Sequence, residues 1–76
     1  MPRYFFDIDD GQTLTPDETG LELDDVEAVR HEAIKALPEI AQDILPENDR
    51  REVVVTAKDN AGRRILTARL ILTVEY

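Results

Sequence analysis

The sequence lacks cysteine, and it lacks any long run of apolar residues. Without cysteine the chain can form no disulfide, supply no thiolate to a metal and use no cysteine nucleophile, and this composition favours a reducing compartment. The apolar start of the chain ends at Phe6, because Asp7 follows at once, and this stretch is too short for the core of a signal peptide. No later run is long enough to span a membrane. We therefore expect a cytoplasmic protein that makes no contact with a membrane.

The sequence also lacks the motifs that accompany common enzyme activities. It has no glycine-rich phosphate loop, no nucleotide-binding fingerprint and no serine-centred hydrolase motif. His31 is the one histidine, and it falls on the polar face of a predicted helix without a nucleophile or a pocket beside it. We expect no catalytic activity and no cofactor, and the sequence identifies no small-molecule substrate.

The size and the charge of the chain limit its architecture and its partners. We expect residues 1–76 to form a single α+β domain, since so short a chain has no apolar material for a second core. Residues 1–47 carry three Lys and Arg against thirteen Asp and Glu (−10), and residues 48–76 carry six against four (+2), which gives the net charge of −8. Nucleic acid is not an expected partner, because the molecule repels polyanions. This asymmetry in charge fits either an acidic half that faces solvent, or an association in which the acidic half of one copy contacts the basic half of another.

The N-terminal segment shows the pattern of a β-hairpin. Residues 4–9 alternate between two faces and are rich in aromatic side chains, which predicts a strand. Asp10-Gly11 predicts a two-residue type I′ turn, after which residues 12–15 return as a short strand. Residues 16–20 then form a second turn, with proline at its start and glycine at its end.

An apolar stripe at spacings of three and four residues predicts a helix after these turns. Its members are Val26, Val29, Ala33, Leu37, Ile40 and Ile44. Asp24 is the predicted N-cap, because Glu27 follows three residues later as in a capping box. Pro38 lies inside the stripe and cannot donate a backbone hydrogen bond, so it predicts either a kink or two abutting helices.

Two strands separated by a turn follow the helix. Residues 51–58 contain the β-branched run Val53-Val54-Val55, and the last segment shows the cleanest alternation in the chain. A turn at residues 59–62 joins them. The predicted architecture is an α+β two-layer sandwich of order β-β-α-β-β. One kinked helix packs on one face of an antiparallel sheet of three to four strands.

A single helix covers only one face of the sheet, so the opposite face meets solvent or a partner. On that face we expect Phe5, Val54, Ile65, Arg69 and Ile71. The apolar members of this set would form a contiguous patch, and such patches often mark interfaces. The leading hypothesis is a small non-catalytic protein-interaction module. It would form a homo-oligomer or bind a protein partner through this face or through an unpaired edge strand.

Five carboxylates are concentrated in the N-terminal hairpin and turn, namely Asp7, Asp9, Asp10, Asp17 and Glu18. Their spacing is similar to that of a calcium loop, but the glycine is displaced by one position and Pro16 intrudes. Turn formation is the preferred interpretation, because Asp and Gly favour turns for local reasons. The alternative is a divalent-cation-responsive binding protein that uses these five carboxylates.

The opening residues MPRYFF, the pair Asp10-Gly11, Gly20, and residues 59–63 before Leu66 resemble a family of small uncharacterised bacterial proteins. These proteins begin with MPRYFF and form a domain of unknown function. The resemblance covers nearly the whole chain, and the opening hexapeptide is its most specific part. Members often carry histidine at the place that Asp7 occupies here. The resemblance implies a bacterial, cytoplasmic, single-domain protein, and it supplies no activity, cofactor or catalytic residue.

Overall fold

The computed structural model describes residues 2–42 and 50–76. These residues form β1 (Arg3–Asp9), β2 (Leu14–Thr15), β3 (Leu21–Glu22), α1 (Val26–Gln42), β4 (Arg50–Lys58) and β5 (Arg64–Thr73). All the strand pairs are antiparallel, and α1 packs on one face of the sheet. The predicted α+β class, with a helix on an antiparallel sheet, is confirmed.

The two central strands of the sheet are β1 and β4. The strand order is β2-β1-β4-β5, and β3 also pairs with β1. On the outer edge of β1, β2 pairs with Ile8 and Asp9, while β3 pairs with Arg3 and Tyr4. The described residues thus form five strands rather than three to four, because the two residues of β3 add a short strand beside β1.

The core lies between α1 and the sheet. Its buried side chains are Tyr4, Val29, Ala33, Leu37, Val53, Val55 and Ala57. The helix contributes residues at the predicted spacing of four, and the strands contribute alternate residues. The predicted stripe is only partly buried: Val26 is exposed, Ile40 packs against the core at its margin, and Ile44 lies outside the described residues.

The helix begins one residue later than predicted, with Asp25 as the N-cap in place of Asp24. The Asp25 Oδ1 accepts a hydrogen bond from the N–H of Ala28 at 2.9 Å, and its carbonyl oxygen accepts one from the N–H of Val29 at 3.2 Å. Adjacent aspartates offer the same capping chemistry. The local sequence pattern therefore does not choose between them.

The helix continues through Pro38 without interruption, so the alternative of two abutting helices is wrong. Proline cannot donate to the carbonyl of Ile34, one turn earlier. Both residues are exposed, on the side of α1 away from the sheet. Water can reach the carbonyl there, so the missing hydrogen bond is less costly than it would be in the core.

The first hairpin turn is longer than predicted. Asp9 pairs with Leu14, so the turn has four residues instead of two. Among the described residues only glycines have a positive φ, whereas a type I′ turn requires one at Asp10 as well. The Asp10 carboxylate instead accepts hydrogen bonds from the N–H groups of Gln12 at 3.0 Å and Thr13 at 2.8 Å, as in an Asx turn.

The turn between β4 and β5 uses the same device at Asp59. Its Oδ1 accepts hydrogen bonds from the N–H groups of Ala61 and Arg63, each at 2.9 Å, and its Oδ2 lies 3.1 Å from the Nε of Arg63. The backbone N–H of Arg63 is the main cause that holds the pKa of Asp59 below its usual range. The predicted turn at this position is confirmed.

A bulge near the start of β5 turns Ile65 toward the core. Ala57 pairs with Leu66, and Lys58 pairs with Arg64, so Ile65 is an extra residue between the two pairs. Its side chain packs against the cluster beneath the N-terminal half of α1. The predicted placement of Ile65 on the uncovered face is wrong, because strict alternation fails at a bulge.

Gly20 is expected to tolerate alanine less well than Gly62. Both residues have a positive φ, 77° and 83°, so alanine strains the backbone at each. A Cβ at Gly20 would also lie 2.8 Å from side-chain atoms of Arg3 and Phe5 and 3.0 Å from the carbonyl oxygen of Tyr4, whereas Gly62 has nothing within 4 Å. Gly20→Ala should lower the free energy of unfolding by about 1–3 kcal/mol more than Gly62→Ala, measured by urea denaturation. Equal losses would contradict this difference in crowding.

Candidate interaction surface

The N-terminal turn places a carboxylate where a neighbouring strand would otherwise pair with β1. Between the segments paired with β2 and β3, the outer edge of β1 has no strand partner among the described residues. Asp17 fills this gap, because its Oδ2 accepts a hydrogen bond from the N–H of Phe6 at 3.1 Å. Its Oδ1 accepts hydrogen bonds from the N–H groups of Thr19 and Gly20, each at 3.0 Å. One side chain therefore joins the turn to the sheet.

Asp7 completes this junction from the face of the sheet opposite α1. Its Oδ1 accepts a hydrogen bond from the N–H of Asp17 at 3.0 Å, and its Oδ2 lies 2.7 Å from the Nζ of Lys58. The Asp7 side chain is only 14% exposed, so solvent screens this ion pair weakly on the carboxylate side. The turn, β1 and β4 are thereby linked through two carboxylates.

These contacts change the pKa values of both carboxyl groups. The hydrogen bond from Lys58, followed by that from the backbone of Asp17, holds the pKa of Asp7 below its usual range. Burial alone would raise the pKa of Asp17. The hydrogen bonds that its carboxylate accepts from backbone N–H groups outweigh this effect, so the pKa lies below its usual range. Both groups therefore favour the charged form in the folded protein.

The five carboxylates of the cation alternative have separate roles. Asp7 and Asp17 form the junction, while Asp9 and Asp10 accept hydrogen bonds from backbone N–H groups of the hairpin turn. Glu18 is exposed. Within the part of the chain that the structure describes, no three acidic or histidine side chains come together as possible metal ligands. The contacts of this stretch agree with its interpretation as a turn.

The face opposite α1, which we call the open face, is more polar than predicted. Two ion pairs lie on it, one between Asp7 and Lys58 and the other between Glu52 and Arg69, whose Oε1 and Nη1 are 2.9 Å apart. Thr56 and Thr67 form a cross-strand pair between them. Charged and hydroxyl groups therefore divide the apolar residues of this face.

The structure brings together three of the five predicted interface residues. Val54 and Arg69 are direct cross-strand partners, and Ile71 is the next residue of β5 on the same face. Phe5 pairs with Lys58 at the other end of this face, beside the N-terminal turn, and Ile65 faces the core. The predicted contiguous patch therefore does not form.

The C-terminal part of β5 is exposed on both faces of the sheet, which the sequence analysis missed. Leu70 and Leu72, on the same side as α1, are 38% and 47% exposed, and Ile71 on the open face is 49% exposed. Leu70 and Leu72 also line a recess with Ala41, Val53 and the side chain of Arg51. The sequence signal was the unbroken apolar run 70–72, a pattern typical of a strand that is covered on both faces.

We define residues 70–74 as the β5 end segment. It contains four apolar residues and one threonine, it carries no charge, and Val74 is 40% exposed. β5 pairs with β4 on one side, and no described strand pairs with its other side. Natural edge strands are commonly protected by charges, prolines or bulges. The bulge of β5 lies at its opposite end, so the β5 end segment has none of these protections.

Acid is expected to destabilise the junction at Asp7 and Asp17. Because both folded-state pKa values are lowered, these groups stabilise the protein fully above their ordinary pKa, near 4, and the contribution is lost as the pH falls through the folded-state values. We expect the free energy of unfolding, measured with urea, to decrease as the pH falls below about 4. Asp17→Asn should reduce this pH dependence.

Asp17→Asn should also destabilise the protein at neutral pH. An amide has one acceptor oxygen, so it cannot accept the hydrogen bonds that both oxygens of the carboxylate accept, and we expect a loss of about 1–3 kcal/mol. Glu18→Gln is the matched control, because Glu18 is the neighbouring residue and is exposed. Its effect should stay within about 0.5 kcal/mol. Similar losses in the two variants would show that the junction is not specific to Asp17.

A family sequence model places this chain in a family without assigning it an activity. No curated protein and no solved structure matches it. A family sequence model described as "Domain of unknown function (DUF6894)" matches residues 3–71, which cover α1 and every strand except the last two residues of β5. The expected resemblance to a family that forms a domain of unknown function is confirmed. The chain belongs to the family described as Domain of unknown function (DUF6894).

Proposed function

We propose that this chain is a small non-catalytic protein-interaction module that self-associates through the outer edge of β5. One observation carries the proposal: the β5 end segment is apolar, uncharged and exposed on both faces at an edge of the sheet. Exposed apolar patches of this kind often mark interaction sites. A strand edge also offers backbone donors and acceptors to an added strand, so one surface supplies both kinds of contact.

The charge distribution supports this surface over the N-terminal half. Residues 1–47 have a net charge of −10, so two copies that approach through these residues repel each other. The β5 end segment is uncharged and belongs to the half with a net charge of +2. Association through β5 therefore carries the smaller electrostatic penalty.

The interaction surface of the proposal differs from the predicted one. Val54, Arg69 and Ile71 stay in it, since they lie together at the β5 side of the open face. Phe5 is distant from this group, and Ile65 packs in the core. The residues that the structure adds are Leu70, Leu72 and Val74.

Cation binding has no specific observation in its favour. Four of the five carboxylates accept hydrogen bonds from backbone N–H groups, so their positions are explained by the turns that they stabilise. We also place the protein in the bacterial cytoplasm, because its lack of cysteine suits a reducing compartment. Among the described residues, no helix has the length and apolar character needed to cross a membrane.

Ile71→Asp should abolish self-association while leaving the fold intact. Ile71 is 49% exposed, so the charge can stay in solvent in the monomer but would be buried in the dimer. Sedimentation velocity over a wide concentration range should show a wild-type dimer and a variant whose dissociation constant is raised by about 100-fold or more. Circular dichroism should show that α1 is retained.

Ile34→Asp is the matched control for this substitution. Ile34 is 47% exposed and lies on the side of α1 away from the sheet, so the same chemical change is made at similar exposure on another surface. This variant should dimerise like the wild type. A wild-type chain that stays monomeric, or equal effects of the two variants, would overturn the proposal.

The wild-type dimer should also persist in high salt. Its loss would indicate instead that the acidic half of one copy pairs with the basic half of the other.

A further inference from the structure

The backbone groups on the outer edge of β5 belong to alternate residues, and the register of the sheet identifies them. The N–H of Phe6 donates to Asp17 on the outer side of β1, so Phe6 and Ala57 form a non-hydrogen-bonded pair and Ala57 bonds toward β5. From Ala57 back to Arg50, β4 pairs with β5 without a further bulge, so residues of β5 that bond to β4 alternate with residues whose backbone groups point outward. The outward-directed residues of β5 are therefore Thr67, Arg69, Ile71 and Thr73.

A partner strand must match both the hydrogen bonds and the side chains of this edge. Residues that face each other in an antiparallel pair share one face of the sheet. Two copies of β5 related by a two-fold axis would therefore pair around one central residue, which faces its own copy. The register is determined by the identity of that residue.

Each of the four residues from Arg69 to Leu72 can occupy the centre. Arg69 at the centre would bring two guanidinium groups directly opposite each other, which is destabilising. Leu70 at the centre would place Arg69 against Ile71 of the second copy, so a charge would face an apolar side chain. Leu72 at the centre would place Ile71 against Thr73 of the second copy, so an apolar side chain would face a hydroxyl group on the open face. Ile71 at the centre pairs the two Ile71 side chains, and it pairs Leu70 with Leu72 of the second copy. Only this last register matches exposed apolar residues with one another on both faces.

We propose that the partner is a second copy of this chain, bound antiparallel through β5 in a register centred on Ile71, so that the two sheets become one continuous sheet. This inference rests on the proposed function and adds the partner and its register to it. The hydrogen-bonded pairs would be Ile71 with its copy, and Arg69 with Thr73 in both directions. Leu70 and Leu72 of the two copies would form one apolar cluster on the side of the helices, next to the recess at Ala41.

The charges of β5 are compatible with this register. Each Arg69 would face Thr73 of the second copy, so the two guanidinium groups would be four residues apart along the strands. That separation is about 14 Å, which exceeds the Debye length of about 8 Å at physiological salt. Each Arg69 also bonds to Glu52 of its own chain at 2.9 Å. The pairing therefore needs no charged partner from another protein.

Single spin labels can measure the register, because the chain has no cysteine of its own. Thr67→Cys and Thr73→Cys form a matched pair, since both threonines are exposed and lie on the open face of β5. With Ile71 at the centre, residue 73 lies two positions from the axis and residue 67 lies four. The backbone separations between copies are then roughly 14 Å for residue 73 and 27 Å for residue 67.

Electron spin resonance of each labelled variant, with sedimentation velocity on the same samples, should therefore give a label distance about 14 Å longer at residue 67 than at residue 73. Equal distances at the two positions, roughly 20 Å each, would place the centre at Leu70 and overturn the register. A dimer with both distances far above 30 Å would exclude pairing through β5 and leave another mode of self-association. A monomer at every concentration would overturn the proposed function together with this inference.

Discussion

The described part of α1 covers only part of the sheet, and this limited contact determines which of the described side chains stay exposed. α1 has 17 residues and is about 26 Å long, whereas β5 with ten residues extends for about 33 Å. The helix buries Val29, Ala33 and Leu37 against β4 and its neighbours, and the end of β5 extends past this contact.

The outer edge of β1 and the outer edge of β5 differ in the partners that their backbone groups have. On the β1 side, two strands of two residues each pair with the ends of β1, and the N–H of Phe6 between them donates to the Asp17 carboxylate. Arg3 strengthens this edge, because it donates to the carbonyl oxygen of Thr19 at 2.8 Å and pairs with Glu22 at 3.2 Å. On the β5 side, the edge is long, and no described strand pairs with its apolar end. Among the described residues, the outer edge of β1 therefore has strand and side-chain partners, whereas the outer edge of β5 has no strand partner.

Local patterns predicted the elements of this fold but not their details. The apolar stripe of the helix and the alternation of the strands follow directly from side-chain burial, and the Asp-Gly turns follow from local hydrogen bonding. These signals involve residues close together in the chain. Asp17 bonds to Phe6 and Asp7 of β1, which are eleven and ten residues earlier in the sequence. No local sequence pattern predicts contacts between residues so far apart.

The predictions that failed depended on register or on the extent of packing. Asp24 and Asp25 are equivalent as caps until the orientation of α1 is known, and Ile65 changes face because a bulge adds one residue to β5. The exposure of Leu70 and Leu72 was missed because alternation shows which face a side chain occupies, but not whether the helix covers it. For the candidate surface, Val54, Arg69 and Ile71 were placed together correctly because they lie on two adjacent strands joined by a short turn.

The carboxylate at the edge of β1 has a consequence for how large an assembly can grow. A sheet with two open edges can add strands at both sides and polymerise without limit, as cross-β fibres do. Here the Asp17 carboxylate accepts the N–H of Phe6, so it stands where an added strand would pair with β1. The two-residue strands beside it are too short to pair stably with another molecule. Among the described residues the sheet is thus monovalent for strand addition. Under the proposed pairing through β5, growth through sheet edges would stop at a pair.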